Sequence, residues 1–145
     1  MNRSLGQIMV NENLLTNEQV DEAVNFKNEN RCHFGAACIE LGFLTERQVM
    51  EVLGIQLYMP VIRMSNFNID SDALEFIPKD RARRLKVIPL FVIEDTLTVA
   101  TAEPLNITAV DEIRKMSNKR IQMVLAKEKN IELAIDRSYV SSSGY

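Results

Sequence analysis

The chain has 145 residues, 46% of them hydrophobic, and a formal net charge of −3, enough to bury the core of one domain or of two small ones. Charges of both signs are mixed along it, so it lacks the broad basic field that nucleic acid or an anionic membrane requires. Two cysteines, Cys32 and Cys38, no signal-like N-terminus and no apolar run near 20 residues lead to the expectation of a reduced, cytoplasmic protein that does not insert in a membrane.

Residues 4–27 and 33–56 are one 24-residue pattern written twice, with equivalent positions 29 apart. Gly6, Leu15, Thr16, Gln19, Val20 and Glu22 fall on Gly35, Leu44, Thr45, Gln48, Val49 and Glu51. A near-duplicated unit of this kind serves either as two stacked modules with one shared buried face or as two half-sites for a two-fold symmetric ligand. Each copy opens with a short apolar-periodic segment, residues 5–10 and 34–41, carrying a glycine where the helix starts. A glycine there lets a neighbouring backbone or a ligand come close. Close helix packing and ligand contact both remain open from spacing alone.

Thr16 with Gln19, and Thr45 with Gln48, are capping boxes, in which the hydroxyl and the amide satisfy backbone N–H groups that a helix start leaves unpaired. Leu15 with Val20, and Leu44 with Val49, take the flanking hydrophobic-staple positions. Helices over about 17–27 and 46–56 follow, with Val20, Ala23 and Val24, and Val49, Val52 and Leu53, at i, i+3, i+4 spacing. Gly42 stands just past a helix end, where φ > 0 is wanted, and Asn13 is its counterpart in the first copy.

From Tyr58 the pattern changes. Met59-Pro60-Val61-Ile62 is a short extended connector, since Pro60 steers its predecessor away from helix. Residues 71–76 and 79–86 read as short helices broken by Pro78. Residues 87–92 and 96–101 are β-branched runs forming a hairpin around a three-residue turn, Ile93-Glu94-Asp95. A helix near 108–116, a strand near 120–125 and a helix near 129–139 complete a ββαβα order. The expected fold class is α+β: a bundle of short helices from a tandem repeat (1–57), a connector (58–70), a small α/β subdomain (71–140) and a flexible tail (141–145).

Chemistry is sparse. The glycines, at 6, 35, 42, 54 and 144, build no G-x-x-x-x-G-K-[S/T] loop, which removes P-loop ATP hydrolysis from these residues. Cys32, His33 and Cys38 lack the spacing and number of a zinc site, and His33 is the only histidine. Neighbouring side chains on one segment also diverge rather than converge as a Cys-His nucleophile would need. The basic run Lys79, Arg81, Arg83, Arg84 and Lys86 reads first as a solvated face and second as an interface for an acidic protein.

The doubled pattern, together with Ile77-Pro78-Lys79-Asp80-Arg81-Ala82-Arg83-Arg84, Val87-Ile88-Pro89-Leu90 and Ala102-Glu103-Pro104-Leu105, resembles the N-terminal domain of type II secretion and type IV pilus assembly ATPases. The resemblance covers residues 3–139. It implies a cytoplasmic domain that precedes a hexameric motor and docks onto an inner-membrane platform protein. In the MshEN branch of that family it also implies binding of cyclic di-GMP, through a doubled R-L-G opening, aliphatic positions along the following helix and a closing Gln. Carried over by position, the first half-site is Ser4, Leu5, Gly6, Val20, Val24 and Lys27. The second is His33, Phe34, Gly35, Val49, Leu53 and Gln56, with Glu103 where the family often supplies an Asp. Both opening arginines are replaced, by Ser4 and His33, and the first closing Gln is Lys27. Neither a hydroxyl nor an imidazole reproduces the planar guanidinium fork.

The leading expectation is therefore a non-catalytic adaptor or regulatory domain docking onto the platform protein or assembly ATPase of a secretion or pilus system, with no metal and no required cofactor. The alternative is a second-messenger sensor whose candidate cyclic di-GMP contacts are Leu5, Gly6, Val20, Val24, His33, Phe34, Gly35, Val49, Leu53, Gln56 and Glu103.

Overall fold

A computed structural model of the chain describes residues 4–139, which fall into two compact units, Met1–Pro60 and Val61–Tyr145. The expected tail at 141–145 lies outside the described residues.

The first unit is four helices: α1 Leu5–Asn11, α2 Asn17–Asn30, α3 Phe34–Glu40 and α4 Glu46–Leu57. Local chemistry sets their starts. Thr16 Oγ1 accepts from the Gln19 N–H at 3.1 Å while Gln19 Oε1 accepts from the Thr16 N–H at 2.9 Å. Thr45 and Gln48 repeat both bonds at 3.2 and 2.9 Å. Chain reversal after α1 and α3 is also duplicated, with Asn13 at φ 60° and Gly42 at φ 78°. There the Leu14 N–H reaches the Met9 carbonyl at 2.8 Å, and the Phe43 N–H reaches that of Cys38 at 2.9 Å. α2 runs three residues past the expected end at Lys27, to Asn30, where Arg31 takes the left-handed conformation at φ 53° and closes it. The apolar positions of both copies converge on one core that includes Met9, Leu15 and Ala23 with their equivalents Cys38, Leu44 and Val52. Burial of a side chain the size of Met9, which is fully enclosed, contributes roughly 1.5–3 kcal/mol.

The second unit holds two 3-10 turns, Met64–Asn66 and Ser71–Phe76, then α5 Lys79–Leu85, β1 Val87–Ile93, β2 Thr96–Thr101, α6 Ile107–Ser117, β3 Arg120–Leu125 and α7 Glu128–Ser138. The sheet order is β1-β2-β3. β1 and β2 pair antiparallel, and β2 and β3 pair parallel through the α6 crossover. Pro89, without an N–H to donate, sits in an edge strand next to a register shift. The hairpin turn differs from expectation: Ile93 pairs with Thr96, leaving a two-residue turn in which Glu94 takes φ 55°. A non-glycine residue in the left-handed region gives no sequence signal for the tighter turn.

Residues 61–70, expected as connector, belong with this unit. Val61 bridges Leu125, the Ile62 N–H donates to the Leu125 carbonyl at 2.9 Å, and Met64 joins the buried cluster. Ile88, Leu97, Ile113, Ile131 and Ile135 fill the core, and the buried Tyr139 hydroxyl donates to the Ile77 carbonyl at 2.7 Å. The architecture is thus α+β, a helical tandem repeat followed by ββαβα.

Candidate functional site

The two glycines of the repeat are packing residues. Gly6 lies buried in the first turn of α1, and a Cβ placed on it would stand 3.2 Å from Val20 Cγ1 and 3.4 Å from Phe34 Cζ. Gly35 lies buried in the first turn of α3, where a Cβ would stand only 2.5 Å from Val49 Cγ1. Each copy therefore seats the valine of its second helix against the glycine of its first, and Phe34 from the second copy covers the Gly6 backbone. The half-sites proposed from sequence meet through that ring.

Their side chains are not equally available. Leu5, Phe34, Leu53, Gln56 and Val20 are half-buried, Val49 is buried, and Ser4, Val24, Lys27 and His33 are exposed. Ser4 is also a cap, its Oγ accepting from the Gln7 N–H at 3.2 Å. His33 stands at the equivalent position before α3 and makes no side-chain cap bond.

Beside Gly6 and Val20 the first unit carries an open hollow of about 360 Å³, lined by Ser4, Gly6, Gln7, Val10, Asn11, Asn17 and Val20. That volume sits at the low end of the range for small-molecule sites, roughly 300–1,000 Å³. Its described lining combines aliphatic walls with neutral hydroxyl and carboxamide groups, and none of the described lining residues carries a charge. It suits a flat, uncharged hydrogen-bonding group better than a phosphate. Sequence reasoning placed Ser4, Gly6 and Val20 here and missed Gln7, Val10, Asn11 and Asn17. The signal was present: Val10 is one turn from Gly6 on α1, Asn11 one turn from Gln7, and Asn17 three residues before Val20 on α2.

Glu103 belongs to the second unit, just after β2. Its N–H donates to Thr101 Oγ1 at 2.9 Å, and its carboxylate meets Lys86 Nζ at 3.3 Å. Lys86 also meets Glu128 at 3.1 Å, and hydrogen bonds to Glu128 and then Glu103 raise its pKa above the ordinary lysine value.

The three arginines of the basic run are also matched by acids distant in sequence. Arg81 Nη1 lies 3.0 Å from Glu112 Oε2, which also accepts from Arg84, and Arg83 Nη2 lies 2.6 Å from Asp136 Oδ1. Among the described residues no group of three or more His, Cys, Asp or Glu is arranged to hold a metal. Cys38 is fully buried, which pushes its thiol up to about 11, whereas a reactive thiol needs a lowered pKa and access. No described helix is long and apolar enough to cross a membrane.

The profile of the MshEN domain family matches residues 57–144. The chain belongs to the MshEN domain family. The match lies mainly over the second unit, and relatives extend it across the tandem repeat. The type IV pilus assembly ATPase PilB of Myxococcus xanthus (strain DK1622) is 31% identical over 139 residues, 96% of this chain and 25% of PilB. The solved structure of MshE with cdg, cyclic di-GMP, superposes on this MshEN domain with a TM-score of 0.90 at 31% identity, covering 94% of this chain and 99% of that one. The N-terminal domain of XpsE shares the fold, with a TM-score of 0.73 at 16% identity over 94% of this chain and 97% of its own. The chain spans a quarter or less of the length of the curated relatives it matches, 25% of PilB of Myxococcus xanthus and 13% of PilB of Thermus thermophilus. An MshEN domain of this kind is a regulatory or binding module related to the front of secretion and pilus ATPases.

Proposed function

We propose that this MshEN domain is a non-catalytic docking module, binding the inner-membrane platform protein or the assembly ATPase of a secretion or pilus system. One observation carries the reading. The scaffold of the repeat is preserved in both copies, in capping boxes, glycine–valine contacts and core, while the described residues that line the hollow over the first half-site include no cation. A dinucleotide brings two phosphates, and charge-assisted bonds to an anion contribute roughly 1.5–3 kcal/mol each. Two such bonds missing at Ser4 and His33 weaken binding by about two to four orders of magnitude. A complete fold with a depleted anion site is what selection for protein docking alone would retain. Affinity capture with the cytoplasmic domain of the cognate platform protein, and separately with the cognate ATPase, tests this. Capture of neither removes the reading.

A second reading, cyclic di-GMP sensing, is supported by MshE with cdg as a neighbour at 31% identity and by the hollow beside Gly6 and Val20. Gln56, Phe34 and Gly35 carry it in the second copy. Calorimetry with cyclic di-GMP decides between them. Binding abolished by Gln56→Ala would replace the docking reading, and no heat at high micromolar ligand ends the sensor reading.

A further inference from the structure

Five of the chain's 17 Lys and Arg residues fall within residues 79–86, with Asp80 as the single acid among them. On α5, Lys79 and Arg83 are one helical turn apart and Arg84 follows, and together with Asp80 they line an open hollow of about 640 Å³. Arg83 is engaged by Asp136 and Arg84 by Glu112, but the arginine side chains are 47% and 57% exposed and the carboxylates 59% and 30%. Pairs this open to water contribute little, because solvent and salt compete for each charge. An incoming carboxylate can therefore take over an arginine at small cost. Asp136 reports the local field: although solvent-exposed, its carboxyl is held below the ordinary range by the Arg83 hydrogen bond, with Lys79 adding its charge. Asp80 interrupts the three cations of the lining, and Asp136 and Glu112 pair with its arginines. That pattern disfavours the dense charge of a polyphosphate and accommodates spaced carboxylates, whose i, i+4 separation on a helix matches that of Lys79 and Arg83.

We propose that the α5 face formed by Lys79, Arg83 and Arg84 docks an Asp/Glu-rich helical segment of a protein partner, with Asp136 and Glu112 holding the arginines until the partner's carboxylates displace them. This rests on the docking reading given above and names the surface it uses. The probe is an acetylated, amidated alanine-based helical peptide with Glu at i, i+4 spacing, and the same peptide with Gln is the control. Each is titrated at low salt into the isotope-labelled chain and followed by amide chemical shifts. The Glu peptide moves the amides of α5, and the Gln peptide does not. Arg83→Gln with Arg84→Gln weakens binding about three- to tenfold. Lys79→Gln, which breaks no ion pair among the described residues, also weakens it. Asp136→Asn, which removes an internal competitor, tightens it. Equal shifts with both peptides, or affinity unchanged in the Lys79 and arginine variants, or no tightening in Asp136→Asn, overturns the proposal. Glu-peptide binding with no capture of platform protein or ATPase keeps the surface and overturns the choice of partner. Capture of either protein that the arginine variants leave unchanged overturns the surface and keeps the docking reading.

Discussion

Gly35→Ala tests whether the repeat's glycines serve packing. The new Cβ would stand 2.5 Å from Val49 Cγ1, where carbon atoms in optimal contact lie about 3.5–4.0 Å apart. Gly35 and Val49 are both buried on facing helices, and a valine in a helix holds essentially one χ1 rotamer. Relief of about 1 Å must therefore come from helix displacement. Overpacking of this kind costs typically about 1–3 kcal/mol, and the helix preference of alanine over glycine returns at most about 1 kcal/mol. The net expectation is a loss of about 1–2 kcal/mol in urea unfolding followed by far-UV circular dichroism. Gly6→Ala provides the internal comparison. Its nearest atom is 3.2 Å away on a half-buried Val20, so it should stay within about 0.5 kcal/mol of the parent. Adding Val49→Ala to Gly35→Ala opens the space the methyl needs, so the double variant should be less destabilised than the sum of the singles by about 1 kcal/mol. Additivity within about 0.5 kcal/mol, or a Gly35→Ala chain as stable as Gly6→Ala, would refute the packing argument.

Thr45→Ala removes the hydroxyl that accepts from the Gln48 N–H, while the bond from the residue 45 N–H to Gln48 Oε1 can remain, and should cost about 1 kcal/mol in the same assay, with Thr45→Ser recovering most of it. Tyr139→Phe leaves the Ile77 carbonyl without a donor 2.7 Å away, and should lower stability by about 1–3 kcal/mol. The buried Cys38 thiol, pushed up to about 11 from an ordinary 9.0, makes stability fall with rising pH. Above pH 9.0 the unfolded chain has released this proton and the folded chain retains it, so the contribution is complete below that value and is lost towards pH 11. Urea midpoints at pH 8 and pH 10 should fall further in the parent than in Cys38→Ala, by up to about 1.4 kcal/mol per pH unit.

Much of the fold was legible because its signals are local. The Thr-x-x-Gln pairs fix two helix starts within four residues, and the β-branched runs fix β1 and β2. What escaped depends on backbone states that unlikely residues adopt, or on partners far along the chain. Arg31, Tyr58, Lys86 and Glu94 all take positive φ, and none announces it as glycine does. The basic residues of α5 read as a solvated face because their acids, Glu112 and Asp136, lie 28 to 53 residues away. At the candidate site, the repeat located Gly6 and Val20, but it hid Gln7, Asn11 and Asn17. Their equivalents in the second copy, Ala36, Glu40 and Glu46, are apolar or charged, so the repeat marks no common neutral lining.

The Val61 bridge to Leu125 and the Tyr139 bond to Ile77 also set an order of events during synthesis. In the first unit, glycine and valine partners are 14 residues apart and Phe34 meets Gly6 across 28, so these contacts can form soon after their residues clear the ribosome. The second unit closes its sheet edge across 64 residues and anchors α7 across 62. Contacts so distant along the chain carry a large loop-closure cost and form late. The helical repeat is thus positioned to fold while the sheet is still being made, and the second unit waits for nearly its last described residue.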